Sequence, residues 1–546
     1  MFSSTTKISD LPQMDSVDLD KVLEDIGGFG KYQIRRYLLI SVLLIFATFP
    51  IISYVFTTHD FNYRCYIEGC EEAQPPIYHP RWLRDAVPYE GDAPSRCLRY
   101  TQLEHMDGTC DNSTFDRSET IRCTDFVYEN IDETTIAKDF GVLCDENLWK
   151  LTIVGTINNL GFIAGLPVSG YLSDRFGRRI MMILPVLLST ILGLIKSFTP
   201  SYLTFISVEF MEATLGSGAY SASYILGMEM LSAEYRVLGS TILSCIFALG
   251  ETIMGFVAWY VPVWRTLLRL LYAPGLLLVS YFWLTDESVR WLVSNDKIDE
   301  AKVVLKKMAG ENGRKLDSNT MKQLSAGGTG KDVNNKSVDS FSDVFKSPVL
   351  FLRLLNCCFG WVCVTFVYYG LTMHSVGISG NMYINYIAVA LIEIPGYVAV
   401  NYTLSRIGRK PSLSYSFLLS GVACFGFVFT PESNTTVRLC MYLLGKFAVT
   451  MSYTSIYLYT TELFPTCLRH TFISTCSIFG RIGAMVAPQV PLLAKIYKSL
   501  PMILFGSLAS IAGLCSFMHP ETLGIKLPDT IEEAVNVGNE SDVEKS

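Results

Sequence analysis

The chain has 546 residues, of which 50% are apolar, and a mean hydropathy of +0.32. About twelve apolar segments reach the roughly 20 residues that a helix needs to cross a hydrocarbon core, which excludes a soluble multidomain protein. The formal net charge of −7 decides little, because the placement of charges matters more than their sum in a membrane protein.

The sequence has no GxxxxGK(S/T) phosphate loop and no HExxH, GxSxG or zinc-type cysteine motif. These motifs supply groups that ATP-driven pumps, hydrolases and zinc enzymes need for their chemistry. Neither a pump nor an enzyme is indicated, and we expect no cofactor, no metal and no nucleic-acid partner.

Residues 1–36 are polar and acidic and end in a basic cluster. They lack the basic start, apolar centre and cleavage site of a signal peptide. Basic residues gather again in the short loops after the second and eighth apolar segments, and such loops mark the cytoplasmic side. An even number of spans then places both termini in the cytoplasm.

The loop 57–147, between the first two segments, is consequently extracellular. Six of the 15 cysteines lie in it: Cys65, Cys70, Cys97, Cys110, Cys123 and Cys144. In an oxidising compartment they predict up to three disulfides, with the connectivity left open. The other cysteines lie in or beside spans and are interpreted as packing residues. Asn112 here and Asn434 in a later outer loop begin N-glycosylation sequons.

Landmarks of the first half return in the second half at a nearly constant offset. The turn GYLSDRFGRR (170–179) returns in weakened form as YTLSRIGRK (402–410). Two acid–arginine pairs with the same seven-residue spacing are 233 positions apart: Glu229 with Arg236, and Glu462 with Arg469. Glu287-Ser288 returns as Glu521-Thr522 at an offset of 234. Matched halves with basic clusters at matched places predict a transporter that rocks about a midplane site.

The charged residues at the inner ends of the spans are candidates for a cytoplasmic gate. They are Asp174, Arg175, Arg178, Arg179, Glu229, Arg236, Arg406, Arg409, Glu462 and Arg469. Each exposed ion pair contributes about 0–1 kcal/mol, but several that break together shift an equilibrium between two conformations. For Arg178 and Arg179 the alternative is that they only fix the orientation in the membrane. The preference for basic residues on the cytoplasmic side does not explain acidic residues there. A gating role is therefore favoured for Asp174, Glu229 and Glu462.

A polar segment, 285–347, separates the two halves. It begins with SVRWLVSNDKIDEAKVVLKKMA, whose helical spacing of apolar residues predicts short amphipathic helices on the inner face. The stretch SAGGTGKDVNNKSVD predicts a flexible linker, and the acidic tail is expected to be loosely ordered. We therefore divide the chain into 1–36 (N-terminus), 37–284 (first six-helix half), 285–347 (linker), 348–520 (second six-helix half) and 521–546 (tail).

The turn GYLSDRFGRR is similar to the loop motif of the major facilitator superfamily. The stretches ESVRWLVSNDKIDEA, IYLYTTELFPTCLR and HPETLGIKLPDTIEEA, with the cysteine-bearing outer loop, resemble its organic cation, anion and zwitterion (carnitine-type) transporters. The resemblance covers nearly the whole chain and departs at TDESVRW, where the family has P-E-S-P-R-W. It implies an all-α plasma-membrane protein with the major facilitator fold, twelve transmembrane helices in two six-helix halves.

Ionisable residues inside spans are costly and are functional candidates by default. They are Glu209, Glu212, Glu251, Glu393, Lys446 and Arg481. By the resemblance, cation-selective relatives carry an acid at the place of Arg481, whereas anion and carnitine-type relatives carry an arginine. Anion-selective relatives carry a lysine at the place of Tyr397. A guanidinium binds a carboxylate bidentately and Glu393 can hold an ammonium, so a cavity with both suits a zwitterion. The alternative is that Arg481 and Glu393 pair structurally, with each other or with a neighbouring helix.

Aromatic side chains can hold a charged nitrogen through cation–π contacts of roughly 0.5–2 kcal/mol each. The candidates are Tyr220, Tyr224, Tyr368, Tyr369, Tyr453 and Tyr457. Tyr220 and Tyr224 lie four residues apart on one helix face and match, by the resemblance, aromatics of cation-carrying relatives. Packing alone is the alternative for each of these tyrosines.

The sequence thus predicts a plasma-membrane carrier that moves a small organic ion, a zwitterion or amine conjugate of the carnitine type, by alternating access. Its partners would be that ion and the lipid bilayer. An organic anion is the first alternative, and an organic cation is the second if Arg481 is structural. A receptor or adhesion protein is disfavoured because it needs no duplicated gate. Coupling to Na⁺ or H⁺ and the oligomeric state are left open.

Overall fold

The computed structural model describes residues 19–71, 75–90, 93–103, 110–316, 347–378, 380–465, 468–525, 528 and 530–537. Within these ranges, nine helical segments are long and apolar enough to cross a membrane. They are Lys31–Ile52, Asp145–Phe176, Arg178–Lys196, Ala233–Tyr260, Trp264–Leu284, Pro348–Gly377, Met382–Arg406, Arg409–Phe429 and Thr471–Ile496.

The other three predicted spans are interrupted, more polar or shorter helices. The fourth consists of Tyr202–Gly216 and Gly218–Glu229, the tenth is Thr435–Leu463, and the twelfth is Leu500–Ser516. Counted in chain order, these twelve segments are called the first to twelfth spans below.

The spans form two separately packed groups. One apolar core lies in the seventh to twelfth spans and includes Trp361, Phe417 and Tyr459. Another joins the first six spans to the linker and includes Tyr32 and Trp291. The two groups touch along two seams, where the fifth span meets the eighth and the second meets the eleventh. This arrangement agrees with the predicted halves, and the predicted boundaries between domains stay predictions.

The loop between the first two spans, predicted to be extracellular, folds around short strands and three disulfides. Antiparallel pairs join Tyr63–Cys65 to Phe126–Tyr128, Tyr89–Glu90 to Ala93–Pro94, and Leu98–Gln102 to Phe115–Arg122. The short helices are Leu83–Ala86 and Ile136–Asp139. All six predicted cysteines are paired, as Cys65–Cys123, Cys70–Cys110 and Cys97–Cys144.

The linker lies against the first half through two short helices, Val289–Ser294 and Ile298–Glu311. Asp286 anchors it: the carboxylate pairs with Arg36 at 2.6 Å and with Lys307 at 2.8 Å. Burial opposes this charge, yet hydrogen bonding to Lys307 and the charge of Arg36 bring the pKa of Asp286 below its usual value. The stretch SAGGTGKDVNNKSVD lies outside the described residues.

The tail differs from the sequence-based expectation in its described part. The helix Ile531–Asn536 begins at Thr530, whose hydroxyl accepts a hydrogen bond from the amide of Glu533. Arg353 donates to the carbonyl oxygens of Ala534 at 2.6 Å and Val537 at 3.0 Å. The helix packs on the second half because Ala534 joins its core. The expectation rested on the acidic composition of the tail, which does not indicate that Ala534 packs on the core.

Candidate functional site

The predicted gate residues of the first half form one cluster at the inner end of the second and third spans. Arg178 pairs with Asp174 at 2.6 Å and lies 3.7 Å from Glu229. Glu229 also accepts a short hydrogen bond from the Ser288 hydroxyl. Glu287 accepts the backbone N–H of Arg178 at 3.0 Å. Burial raises the pKa of Glu287, although these amide donors oppose the rise.

The second half repeats this cluster. Arg409 pairs with Glu462 at 3.1 Å, and the Thr522 hydroxyl donates to Glu462 at 2.7 Å. Glu521 accepts the backbone N–H of Arg409 at 2.9 Å and that of Lys410 at 3.2 Å. Each cluster therefore joins one half to the polar segment that follows it, and none of these contacts links the first half to the second.

The remaining gate candidates lie around these clusters. Arg236 pairs with Asp20 at 2.5 Å, and Arg179 donates to the carbonyl oxygen of Phe282. Arg175 and Arg406 are exposed. Two buried guanidinium nitrogens of Arg469 have no hydrogen-bond partner in the described part of the chain. A role of these residues in gating stays a prediction.

Arg481 lies in an aromatic pocket in the middle of the second half. The pocket has a volume of about 10 Å³ and is lined by Trp361, Tyr369, Tyr453 and Tyr457, among others. Tyr369 is hydrogen-bonded to the guanidinium. From the first half, the ring of Phe162 lies 5.9 Å away. No carboxylate lies within ion-pair distance of Arg481 in the described ranges of the chain.

Glu393 is fully buried and already holds an ammonium group. Its carboxylate pairs with Lys446 at 2.8 Å and accepts hydrogen bonds from the hydroxyls of Tyr368 at 2.6 Å and Tyr397 at 3.2 Å. Lys446 also donates to the Thr372 hydroxyl at 2.7 Å. Glu393 thus pairs with a neighbouring helix and not with Arg481.

Aromatic rings connect these charged groups across the molecule. Tyr368 lies 5.2 Å from Tyr369 and 5.1 Å from Tyr453, measured between ring centroids. Tyr457 lies 5.6 Å from Tyr453. In the first half, Tyr220 and Tyr224 stack with centroids 6.2 Å apart, and the charge of Glu393 acts on the Tyr220 phenol. The predicted aromatics therefore line one region that spans both halves.

Sequence reasoning named Glu251 and Lys446 as ionisable but did not assign them to the binding site. The structure places Glu251, from the fifth span, beside the Glu393 carboxyl where the fifth span packs on the eighth. The polar residues Lys446, Glu393 and Glu251 come from three different spans, so no local spacing could have brought them together. Their only signal was charge inside apolar segments.

A second buried charge cluster involves the third and fourth spans. Lys196 lies 2.8 Å from Glu209 and 2.5 Å from Glu212, and none of the three side chains is exposed. Asn158 donates to Glu209 at 2.7 Å, and the Tyr272 hydroxyl donates to Glu212. These partners satisfy the cluster internally, so we interpret it as a structural lock within the first half.

Comparison with known proteins places the chain in a family. The model of the Major Facilitator Superfamily matches residues 131–488. Solute carrier family 22 member 3 of Mus musculus is 30% identical over 537 residues, which cover 95% of this chain and 96% of that protein. Solute carrier family 22 member 2 of Homo sapiens is 30% identical over 538 residues, 95% of each chain. This chain belongs to solute carrier family 22 of the major facilitator superfamily.

The fold of this family 22 member agrees with solved structures of the superfamily. The xylose transporter XylE from E. coli in its inward open conformation covers 72% of this chain with 92% of its own length, a TM-score of 0.55 and 19% identity. Its partially occluded inward open conformation gives a TM-score of 0.56 at 18% identity. The predicted all-α, twelve-helix major facilitator fold is confirmed. The protein is a multi-pass plasma-membrane transporter and not an enzyme, whereas the cytoplasmic location of its termini stays a prediction.

Proposed function

We propose that this family 22 member transports small organic zwitterions or amine conjugates of the carnitine type by alternating access. The chain transports organic ions, as its family does. The proposal adds that the transported ion is a zwitterion or amine conjugate. A relative from Drosophila melanogaster, 28% identical over 537 residues, is named an organic cation transporter protein. This name supports a substrate that carries an amine, but it does not indicate whether the substrate also carries a carboxylate.

One observation carries the proposal: within the described residues Arg481 lies among aromatic side chains with no carboxylate at ion-pair distance, while Glu251 is buried with no donor to either carboxyl oxygen. Tyr369 lines the Arg481 pocket and lies near Glu251, so a cation without a carboxylate partner and a carboxyl group without a donor belong to one aromatic region. A substrate carboxylate can bind the Arg481 guanidinium through two parallel hydrogen bonds. Its ammonium can then be held on the opposite side by the acid and by the aromatic faces.

The alternatives meet specific obstacles in the same pocket. An organic anion would leave the buried Glu251 carboxyl without a substrate donor and would add negative charge near it. An organic cation without a carboxylate would leave Arg481 facing only neutral phenols. A zwitterion is the substrate class that gives both Arg481 and Glu251 a partner.

Competition for uptake tests the proposal in cells that express the full chain. Carnitine, tetraethylammonium and glutarate serve as zwitterionic, cationic and dianionic probes. We expect carnitine to be accumulated and to be displaced better by other zwitterions than by either remaining probe. Accumulation of tetraethylammonium alone would show that Arg481 is structural, and accumulation of glutarate alone would assign the carrier to organic anions.

A further inference from the structure

The Glu251 carboxyl is buried at a seam between the halves without a hydrogen-bond donor. Its side chain has no solvent exposure, and neither carboxyl oxygen has a donor partner within the described residues. Gly255, one helical turn further on the same face, packs on the eighth span so closely that an added Cβ would lie 2.9 Å from Tyr386. This face of the fifth span therefore points at the eighth span.

The neighbour of Glu251 on the eighth span is another acid. Glu251 lies beside Glu393 at this seam, and within the described residues Lys446, at 2.8 Å, is the one cation paired with Glu393. Two carboxyl groups can be hydrogen-bonded to each other only if one of them carries a proton, and two neighbouring carboxylates in a low dielectric cannot both ionise. The Lys446 ammonium balances the charge of only one carboxylate. The cluster of Lys446, Glu251 and Glu393 therefore has no net charge only when one of the two carboxyl groups is protonated.

The other groups around the pair do not supply a second cation. Tyrosines of the fourth, seventh and eighth spans and of the segment that follows the first span lie around the pair: Tyr54, Tyr220, Tyr368, Tyr369, Tyr386 and Tyr397. Phenols are neutral donors at physiological pH. Lys446 is the only cation that acts directly on the Glu251 carboxyl within the described part of the chain.

We infer that Glu251 and Glu393 together form a proton-binding site between the two halves, and that the movement of this proton is coupled to the conformational cycle. The two acids belong to opposite halves, so the proton makes a hydrogen bond across the fifth–eighth seam. Loss of the proton replaces that bond by repulsion and favours separation of the halves at this point. The inference goes beyond the proposed substrate, because it depends only on groups of the protein.

A measurement without any substrate tests the site. The purified full chain in lipid vesicles is examined by infrared difference spectroscopy during a pH titration, in the parent and in the E251Q and E393Q variants. We expect a protonated-carboxyl band in the parent that is lost in E251Q, since glutamine keeps the shape but binds no proton. E234Q, at an exposed acid, serves as the control and keeps the band.

The conformational coupling has a separate readout. Thr152→Cys at the outer seam is labelled with a membrane-impermeant thiol reagent at several pH values. We expect the labelling rate to change with pH in the parent and to be independent of pH in E251Q and E393Q. An infrared band unchanged by E251Q, or the same pH response in the parent and both variants, would overturn the inference. A response to Na⁺ at constant pH would also overturn it and assign the pair to a sodium ion.

Discussion

Arg481, which is partly exposed, differs from the buried cations Lys446 and Lys196 in its partners. Lys446 and Lys196 each contact at least one buried carboxylate, whereas Arg481 lies among phenols and aromatic rings with no carboxylate at ion-pair distance in the described part of the chain. A guanidinium held by neutral donors and π-faces costs more to bury than an ion-paired one. A substrate carboxylate of the proposed kind would offset that cost, so the proposal makes Arg481 the residue whose charge decides substrate choice.

Replacement of Arg481 tests that role. We expect R481D to lower uptake of carnitine about tenfold or more relative to tetraethylammonium, since a charge-assisted hydrogen bond contributes about 1.5–3 kcal/mol. R481K keeps the charge without the bidentate geometry and should lie between R481D and the parent. Uptake of both probes is compared at equal surface expression. An equal loss for both probes in R481D would indicate a structural role.

His59, in the cysteine-rich loop, leads to a prediction about how the stability of the protein depends on pH. Burial lowers the pKa of His59, although Glu133, 3.3 Å away, and Asp60 oppose the shift. The folded protein thus holds His59 neutral, and the unfolded chain binds the proton more readily. The contribution of neutral His59 to the free energy of unfolding is therefore fully present above the unfolded pKa of about 6.5. It decreases as the pH falls below that value.

Thermal unfolding of the purified protein at pH values from about 8 to 5 measures this effect. We expect the unfolding temperature to fall on acidification, and H59Q to reduce that fall by removing the titrating group. H79Q, at an exposed histidine of the same loop, should follow the parent. A pH dependence in H59Q as steep as in the parent would show that other groups control acid stability.

At the scale of single elements, two glycines allow the repeated inner clusters to form. Gly177 and Gly408 adopt φ of 103° and 117°, in the left-handed region. An added Cβ would lie 2.2 Å from a carboxylate oxygen of Glu287 and 2.6 Å from one of Glu521. The same turn conformation therefore brings an acid onto the first amides of the following helix in both halves.

Substitution of Gly408 by alanine should destabilise the second half by about 1–3 kcal/mol, because strain and collision act together. G524A separates the two causes, since Gly524 has φ of 77° but nothing within 4 Å of an added Cβ. We expect the unfolding temperature to fall more in G408A than in G524A. Equal losses would mean that backbone strain alone accounts for the effect.

The repeat in the sequence predicts where these elements lie but not which side chains meet. A constant offset matches Glu229 to Glu462 and Glu287 to Glu521 in the sequence itself. Contacts between distant helices, such as Arg178 with Glu229, depend on helix rotation and tilt, which the offset does not contain. For the same reason the sequence marks Glu251 as an ionisable residue inside a span but does not reveal that Glu393 lies beside it.

At the scale of the whole molecule, most polar contacts between the halves lie at the ends of the spans that are predicted to face outward. Gln489 joins the eleventh span to Thr152 at 3.0 Å and to Thr156 at 2.7 Å. Within the described ranges, the contact between Asn401 and Thr241 at 2.5 Å is the one such hydrogen bond near the inner ends. The seam between the second and eleventh spans is thus closed, next to a cavity of about 310 Å³ whose lining includes Gly155 and Pro488.

Gly155 permits this closure, and its replacement tests alternating access. An added Cβ at Gly155 would lie 2.7 Å from both Pro488 and Tyr54, so leucine cannot fit while the outer seam is shut. Overpacking costs about 1–3 kcal/mol, which should shift the population towards the outward-open state roughly tenfold. We expect G155L to raise the outside labelling rate of T152C, in a background that carries Cys440→Ser because Cys440 is exposed.

The matched control lies on the same span. Gly170 has nothing within 4 Å of an added Cβ, so G170L adds the same side chain without a collision. G170L should label T152C like the parent and keep its uptake, whereas G155L should lose uptake because its outer side closes less often. Faster labelling in both variants would attribute the effect to bulk on the second span, and slow labelling in G155L would show that the seam does not move. Opening confined to G155L would identify the second–eleventh seam as the contact that the two halves break on each turnover.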